Sequence, residues 1–258
     1  MKKVSTILII IGILVALSPF AGRLYMYYNE NRLLAEWYNS ENAADAEAAA
    51  ASEADPEEEF HQLQDAFRVD ARNIRRPVAE DTAQTTSEQG NAANESGSAG
   101  EPGSPAAGSP VSKPKQKPAE QQTVLGVIKI DKIKVKYPIV EGVKESNLKQ
   151  AIGHIPGTAG LGQPGNCALA GHRNYTFGRY FNRLDELKVG DLISVSTKKE
   201  EFIYKVYEKL VVTPDDVSVI KGGKDDTILT LITCTPIYIA THRLIVHARL
   251  ENKILLEP

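Results

Sequence analysis

From Thr123 onward the chain alternates apolar and polar positions in short runs, and that alternation predicts strands. Residues 124–130 read Val-Leu-Gly-Val-Ile-Lys-Ile, and residues 133–137 read Ile-Lys-Val-Lys-Tyr. A period of two over such runs is the pattern of a half-buried strand. Further strands are predicted at 167–171, 192–197, 201–212, 227–234 and 243–250, and short helices at 146–152 and 180–187. Gly and Pro punctuate the rest, most densely at Gly153-His154-Ile155-Pro156-Gly157. Seven or eight strands with few helices predict a mainly β module over 123–258, a closed barrel or a sandwich around one hydrophobic core.

The first 122 residues follow other rules. Residues 4–20 are predominantly apolar, preceded by Lys2 and Lys3 and followed by Arg23. The stretch is about as short as a spanning helix can be. It lacks a small-x-small cleavage site, so residues 1–28 read as an uncleaved N-terminal membrane anchor. The basic residues favour a cytoplasmic N-terminus, which places the remainder outside the cell. Residues 30–74 are rich in Ala and Glu, with Glu57-Glu58-Glu59 and a weak apolar spacing through Phe60, Leu63 and Phe67. Part of this stretch suits a helix, but it offers little apolar surface for a core. Residues 76–122 are rich in Ser, Gly, Pro, Ala, Gln and Asn and end in Lys113-Pro114-Lys115-Gln116-Lys117-Pro118 and four further residues. The whole of 29–122 therefore reads as a largely disordered linker, a tether of about ninety residues with a root-mean-square reach of roughly 50 Å.

A net charge of −3 argues against a nucleic-acid partner. No group of residues has metal-ligand spacing, and no cofactor motif is present. The chain has two cysteines, and an exported cysteine without an evident partner points to thiolate chemistry. Alternation sets the two apart. In 167–172, Cys167 and Leu169 share one face, while Ala168, Ala170 and His172 share the other. Cys167 thus reads as a small buried hydrophobe, and a Cys167–Cys234 disulfide is disfavoured. In 243–250, Leu244, Val246, Ala248 and Leu250 form the core face, so Arg243 points out of it.

Cys234 ends an apolar run, Leu229-Thr230-Leu231-Ile232-Thr233-Cys234, just before Thr235-Pro236 breaks the pattern. A thiolate there attacks acyl groups, and a His within reach protonates the leaving amine. An Arg supplies fixed N–H donors and a permanent charge to an oxyanion. One Cys, one His and one Arg suffice for acyl transfer.

With these residues in place the module resembles a sortase, the membrane-anchored cysteine transpeptidases of Gram-positive cell surfaces. Thr230-Leu231-Ile232-Thr233-Cys234 matches the family's TLxTC signature. Arg243 in Thr241-His242-Arg243-Leu244 sits where the family places its catalytic Arg, and His172 in Ala170-Gly171-His172-Arg173 matches its catalytic His. Gly190-Asp191-Leu192-Ile193-Ser194-Val195 is similar to the family's GDxIxV strand. Gly153-His154-Ile155-Pro156-Gly157-Thr158-Ala159 and Tyr175-Thr176-Phe177-Gly178 resemble class D. Class C members carry an N-terminal lid with an Asp-Pro-aromatic motif, and Asp55-Pro56-Glu57 lacks the aromatic.

The resemblance implies a closed sortase-like barrel and a two-step reaction. Cys234 attacks the Thr carbonyl of an LPxTG-like sorting signal on a surface protein, and an amine, on a peptidoglycan precursor or another acceptor, resolves the thioacyl enzyme. His172 serves as general acid and then base, Arg243 holds the carbonyl and its oxyanion, and Thr233 contacts the substrate. Competing readings are a hydrolytic cell-wall cysteine peptidase, a pilin-polymerising class C enzyme, and a non-catalytic peptide-binding surface module. His154 reads as a loop contact and His247 as a solvated surface position.

Overall fold

The computed structural model describes residues 28, 31–39, 54–74, 123–173, 180–223, 225–237 and 239–256. The apolar stretch 4–20 and the segment 76–121 lie outside them. Among the described residues no helix is long and apolar enough to cross a membrane.

Eight strands close into a barrel: β1 Val124–Ile130, β2 Val135–Glu141, β3 Ile152–His154, β4 Gly165–Ala170, β5 Leu192–Ser196, β6 Glu200–Val212, β7 Thr227–Thr235 and β8 His242–Leu255. Their order around the barrel is β1-β2-β3-β4-β7-β8-β6-β5, with β5 closing onto β1. The expected closed, mainly β barrel is therefore what the chain forms. Most pairings are antiparallel, but β2–β3 and β4–β7 are parallel. Two features escape the alternation. The three-residue β3 is too short to show a period. The second is that β8 runs on to Leu255, because β6 offers it a partner as far as Glu200.

Alternation sorts the side chains as expected. Cys167 and Leu169 of β4, Leu229 and Leu231 of β7, and Leu244, Val246 and Ala248 of β8 face the barrel interior. Ile128, Ile139, Val195, Phe202 and Tyr204 meet them from the other strands. Ala168, Ala170, Ile232, Cys234 and Ile245 face outward and form part of a second apolar cluster.

That second cluster is completed from the N-terminal region. Residues 31–39 are helical (α1), and Pro56–Ile74 form a longer helix (α2). Asp55 caps α2 by accepting from Glu57 N (2.9 Å), Pro56 begins the helix, and Glu57, Glu58 and Glu59 suit the positive end of its dipole. Phe60, Leu63, Ala66 and Phe67 are buried against Ala168, Ala170, Ile232, Ile245, Val219 and Ile220. Burial of Phe60, Leu63 and Phe67 contributes about 6 kcal/mol gross. Gly157 (φ +79°) marks the close approach: a Cβ there would lie 2.1 Å from Ala54 O. On α1, Leu33 packs on Val140 and Ala151, and the Trp37 ring lies 4.6 Å from Lys198 Nζ.

These contacts revise the reading of 29–122 as one linker with too little apolar surface for a core. Residues 31–39 and 54–67 pack on the barrel. A few large apolar side chains at helical spacing suffice when the barrel face opposite them is itself apolar.

A candidate active site on the outer face of the barrel

The parallel β4–β7 register runs as far as Ala170 opposite Ile232; His172 follows two residues beyond the first and Cys234 two beyond the second. Gly171 N donates to Ile232 O at 3.1 Å, which continues the ladder to the edge of the site. A Cβ at Gly171 would lie 2.7 Å from Ile152 Cδ1 and 2.9 Å from Phe181 Cδ2, so glycine gives these side chains room to pack against the chain before His172. On the other side of β7, Cys234 stands directly opposite Arg243 of β8. The structure thus gathers His172, Cys234 and Arg243 at one end of three adjacent strands, on one face.

All three are enclosed: His172 and Arg243 are 2% exposed and Cys234 8%. Helix α2 encloses them. The Phe67 ring lies 5.6 Å from the His172 ring and 5.2 Å from the Arg243 guanidinium carbon. Gln64 Oε1 accepts a 2.6 Å hydrogen bond from Arg243 Nε, and Arg243 Nη1 donates to Ala240 O (3.0 Å) and His242 O (2.9 Å). Gln64 Nε2 is buried with no hydrogen-bond partner among the described residues, which offsets α2 docking by about 1–3 kcal/mol. Burial pushes the Arg243 pKa down, and the nearby Cys234 opposes that shift. The guanidinium remains charged in this setting.

Thr233, expected to contact substrate, takes another role. It is fully buried, and its hydroxyl donates to Gly171 O at 2.8 Å. Alternation turns it away from Cys234, so it straps β7 to the residue before His172. The cysteines form no disulfide with one another. Cys167 sits in the interior at 1% exposure, as its facing predicts.

Two other histidines depart from expectation. His154 lies in β3, and its Nδ1 is 2.8 Å from Glu141 Oε2 while Nε2 is 3.0 Å from Ala159 O. Two acceptors on the two ring nitrogens require an imidazolium. Burial would lower its pKa, but contacts with Cys167 and Glu141 outweigh it and raise the value to about 10. His247 is buried rather than solvated: its Nδ1 lies 2.8 Å from Thr230 Oγ1, which donates to Asn166 Oδ1 at 2.6 Å. The His247 ring stacks on Tyr207, and burial, partly opposed by Glu208, holds its pKa down. Among the described residues no group of three or more His, Cys, Asp or Glu is placed to hold a metal ion.

Sequence reasoning missed Gln64 and Phe67, although Asp55-Pro56 followed by the 60/63/64/67 spacing signals a capped amphipathic helix. It also missed Arg173, whose neighbour His172 drew the attention.

The barrel is similar in sequence to known proteins. The family model for the Sortase domain matches residues 128–251. Sortase D of Bacillus subtilis (strain 168) is 32% identical over 111 residues, covering 43% of this chain and 54% of the relative. Sortase A of Streptococcus agalactiae serotype III is 33% identical over 135 residues, covering 50% and 53%. The chain spans about half the length of these curated relatives. Among solved structures, a Clostridium perfringens Sortase D5 transpeptidase is 36% identical, with a TM-score of 0.47, over 50% of this chain and 79% of that one.

Proposed function

We propose that this chain is a sortase-family cysteine transpeptidase acting on an LPxTG-like sorting signal. The observation that carries the proposal is the cross-strand pairing of Cys234 with Arg243, with His172 on the neighbouring strand end. Cys234 Sγ bonds to the Thr carbonyl carbon, and the carbonyl electrons move onto oxygen. Arg243 N–H groups stabilise that oxyanion. As the carbonyl reforms, the scissile C–N bond breaks and His172 protonates the departing amine. An incoming amine, on a peptidoglycan precursor or another acceptor, then attacks the thioester carbonyl. His172 takes its proton, and Cys234 leaves as the thiolate.

Substrate and α2 compete for one face. Gln64 presents an amide carbonyl to the Arg243 N–H group that would receive the scissile carbonyl. Phe67 rests against both His172 and Arg243. Turnover on this reading requires α2 to leave the outer face, and the unpaired Gln64 amide nitrogen lowers the cost of leaving. The client is a surface protein with a C-terminal sorting signal. Residues 1–28 anchor the chain in the cell membrane, with the barrel outside. Docking of residues 31–39 on the barrel then holds the catalytic module near the bilayer instead of at the end of a long tether.

The test is mass spectrometry of the full chain with LPxTG-like and LPxTA-like peptides, with and without an amine acceptor. A thioacyl adduct on Cys234, absent in Cys234→Ala and converted by amine into ligated peptide, supports the proposal. An adduct released only to water makes the protein a peptidase. A Cys234 that forms no adduct with any signal sinks the enzymatic reading.

A further inference from the structure

We propose that Arg173 is a positioning residue that sets the register of His172 against Cys234; this rests on the catalytic reading of those two residues. The β4–β7 ladder ends just before the site. Its last contacts are Gly171 N to Ile232 O and Thr233 Oγ1 to Gly171 O. Both lie one residue ahead of His172 and Cys234. Strand β4 ends at Ala170, while β7 continues to Thr235.

Arg173 adds a clamp beyond the end of β4. Its Nη1 donates to Thr235 Oγ1 at 3.0 Å and reaches Cys234 O at 3.5 Å. Its Nε donates to Asn182 O at 3.3 Å, and its Nη2 pairs with Asp185 Oδ1 at 2.8 Å. The Arg173 side chain is 8% exposed, whereas its Asp185 partner is 54% exposed. One planar fork therefore ties three pieces of chain together: the residue after His172, the end of β7, and the 180–187 turn. Phe181 N adds a bond to His172 O at 3.2 Å, so the same turn grips the His172 backbone directly. His172 and Cys234 are bracketed, by Thr233–Gly171 on one side and Arg173–Thr235 on the other.

The Arg173 guanidinium meets Cys234 O, Thr235 Oγ1, Asn182 O and Asp185 Oδ1. Its role is thus to fix backbone positions, with no contact to the reacting atoms. A fixed fork of several donors suits this work better than the single ammonium of lysine. Small errors in the placement of a catalytic pair are costly in rate, and a misplacement of about 1 Å can cost on the order of a hundredfold.

The experiment uses Arg173→Ala, Arg173→Lys and Asp185→Asn in the full chain. Steady-state transpeptidation yields kcat and KM separately, and iodoacetamide alkylation of Cys234 is followed as a function of pH. The expected result for Arg173→Ala is a kcat lower by about a hundredfold with KM within twofold, and an alkylation profile shifted from that of the wild type. Arg173→Lys recovers part of kcat, and Asp185→Asn falls between Arg173→Lys and the wild type. Loss of kcat with an unchanged alkylation profile, matched by a proportional loss of folded protein, would overturn the proposal and leave Arg173 a fold residue. So would variants that all match the wild type. If Arg173→Ala does not fold, Asp185→Asn and Arg173→Lys carry the same test. The alkylation profile needs no peptide: a wild type inactive on sorting signals defeats the proposed function, while the profile still reads the effect of Arg173 on Cys234.

Discussion

The interior of the barrel and the outer face of its β4–β7–β8 sheet are built from alternate residues of the same three strands, yet they close in different ways. The interior is filled by side chains from within the barrel: Cys167, Leu169, Leu229, Leu231, Leu244, Val246 and Ala248 meet partners from the other strands. The outer face has no strand opposite it. Its Ala168, Ala170, Ile232, Cys234 and Ile245 are covered by Phe60, Leu63, Ala66 and Phe67, which are far away in sequence. The two cysteines mark the contrast. Cys167 lies in the interior cluster and reaches His154, while Cys234 sits opposite Arg243. On the proposed function, the fold is held on one face of these strands and the chemistry lies on the other. The outer face, with Cys234 and Arg243, is closed by a helix that contributes nothing to the interior cluster.

The largest effect should separate the two cysteines. Cys234→Ala is expected to lower adduct formation by about 10³-fold or more with little change in stability. Cys167→Ala should keep the adduct and cost about 1 kcal/mol in thermal unfolding. If both variants lose activity equally, the two faces do not divide the labour in this way.

Next in size is Arg243→Lys, which keeps the charge but loses the fork. It is expected to reduce kcat/KM by about a hundredfold, measured on peptide cleavage, with the barrel still folded.

A smaller effect, in the opposite direction, is expected on α2. Combining Gln64→Ala with Phe67→Ala removes the contacts on Arg243 and His172. The single-turnover rate of adduct formation should rise by about tenfold or more, since truncating a buried Phe costs about 3–5 kcal/mol of docking. Gln64→Glu should do the reverse, because a carboxylate on the Arg243 guanidinium makes a stronger, charge-assisted bond. Equal rates in all three proteins would mean that α2 does not compete with substrate.

The smallest effect on activity is expected at His154, whose influence is on stability. Its folded-state pKa of about 10 lies above its ordinary 6.5. The proton therefore favours the folded barrel: the contribution is complete below about pH 6.5 and fades as pH rises toward 10. The difference in stability between the wild type and His154→Gln should shrink across that range in urea unfolding. A constant difference would show that His154 is neutral in the folded protein.

Much of this was legible along the chain. The facing of Cys167, Arg243 and the core side of β8 followed from a period of two, and the structure repeats it residue by residue. Thr233 was misread because a hydroxyl beside a nucleophile suggests substrate contact, whereas alternation sends it inward to Gly171 O. His247 was misread because exposure of a β8 residue depends on what covers the sheet; the Thr230–Asn166 pair and Tyr207 lie on other strands. Helix α2 had its cap and spacing in view, but neither says where an amphipathic helix docks.

By itself the sequence determined the barrel strands, their inward and outward faces, and the three residues brought to one site, because side-chain alternation is a local property of each strand. Only the tertiary structure decided what covers the outer face, how Arg173 bridges two strand ends, and that His154 carries a buried charge. Each of these depends on groups tens of residues apart meeting in a low-dielectric setting, and no local period encodes such a meeting.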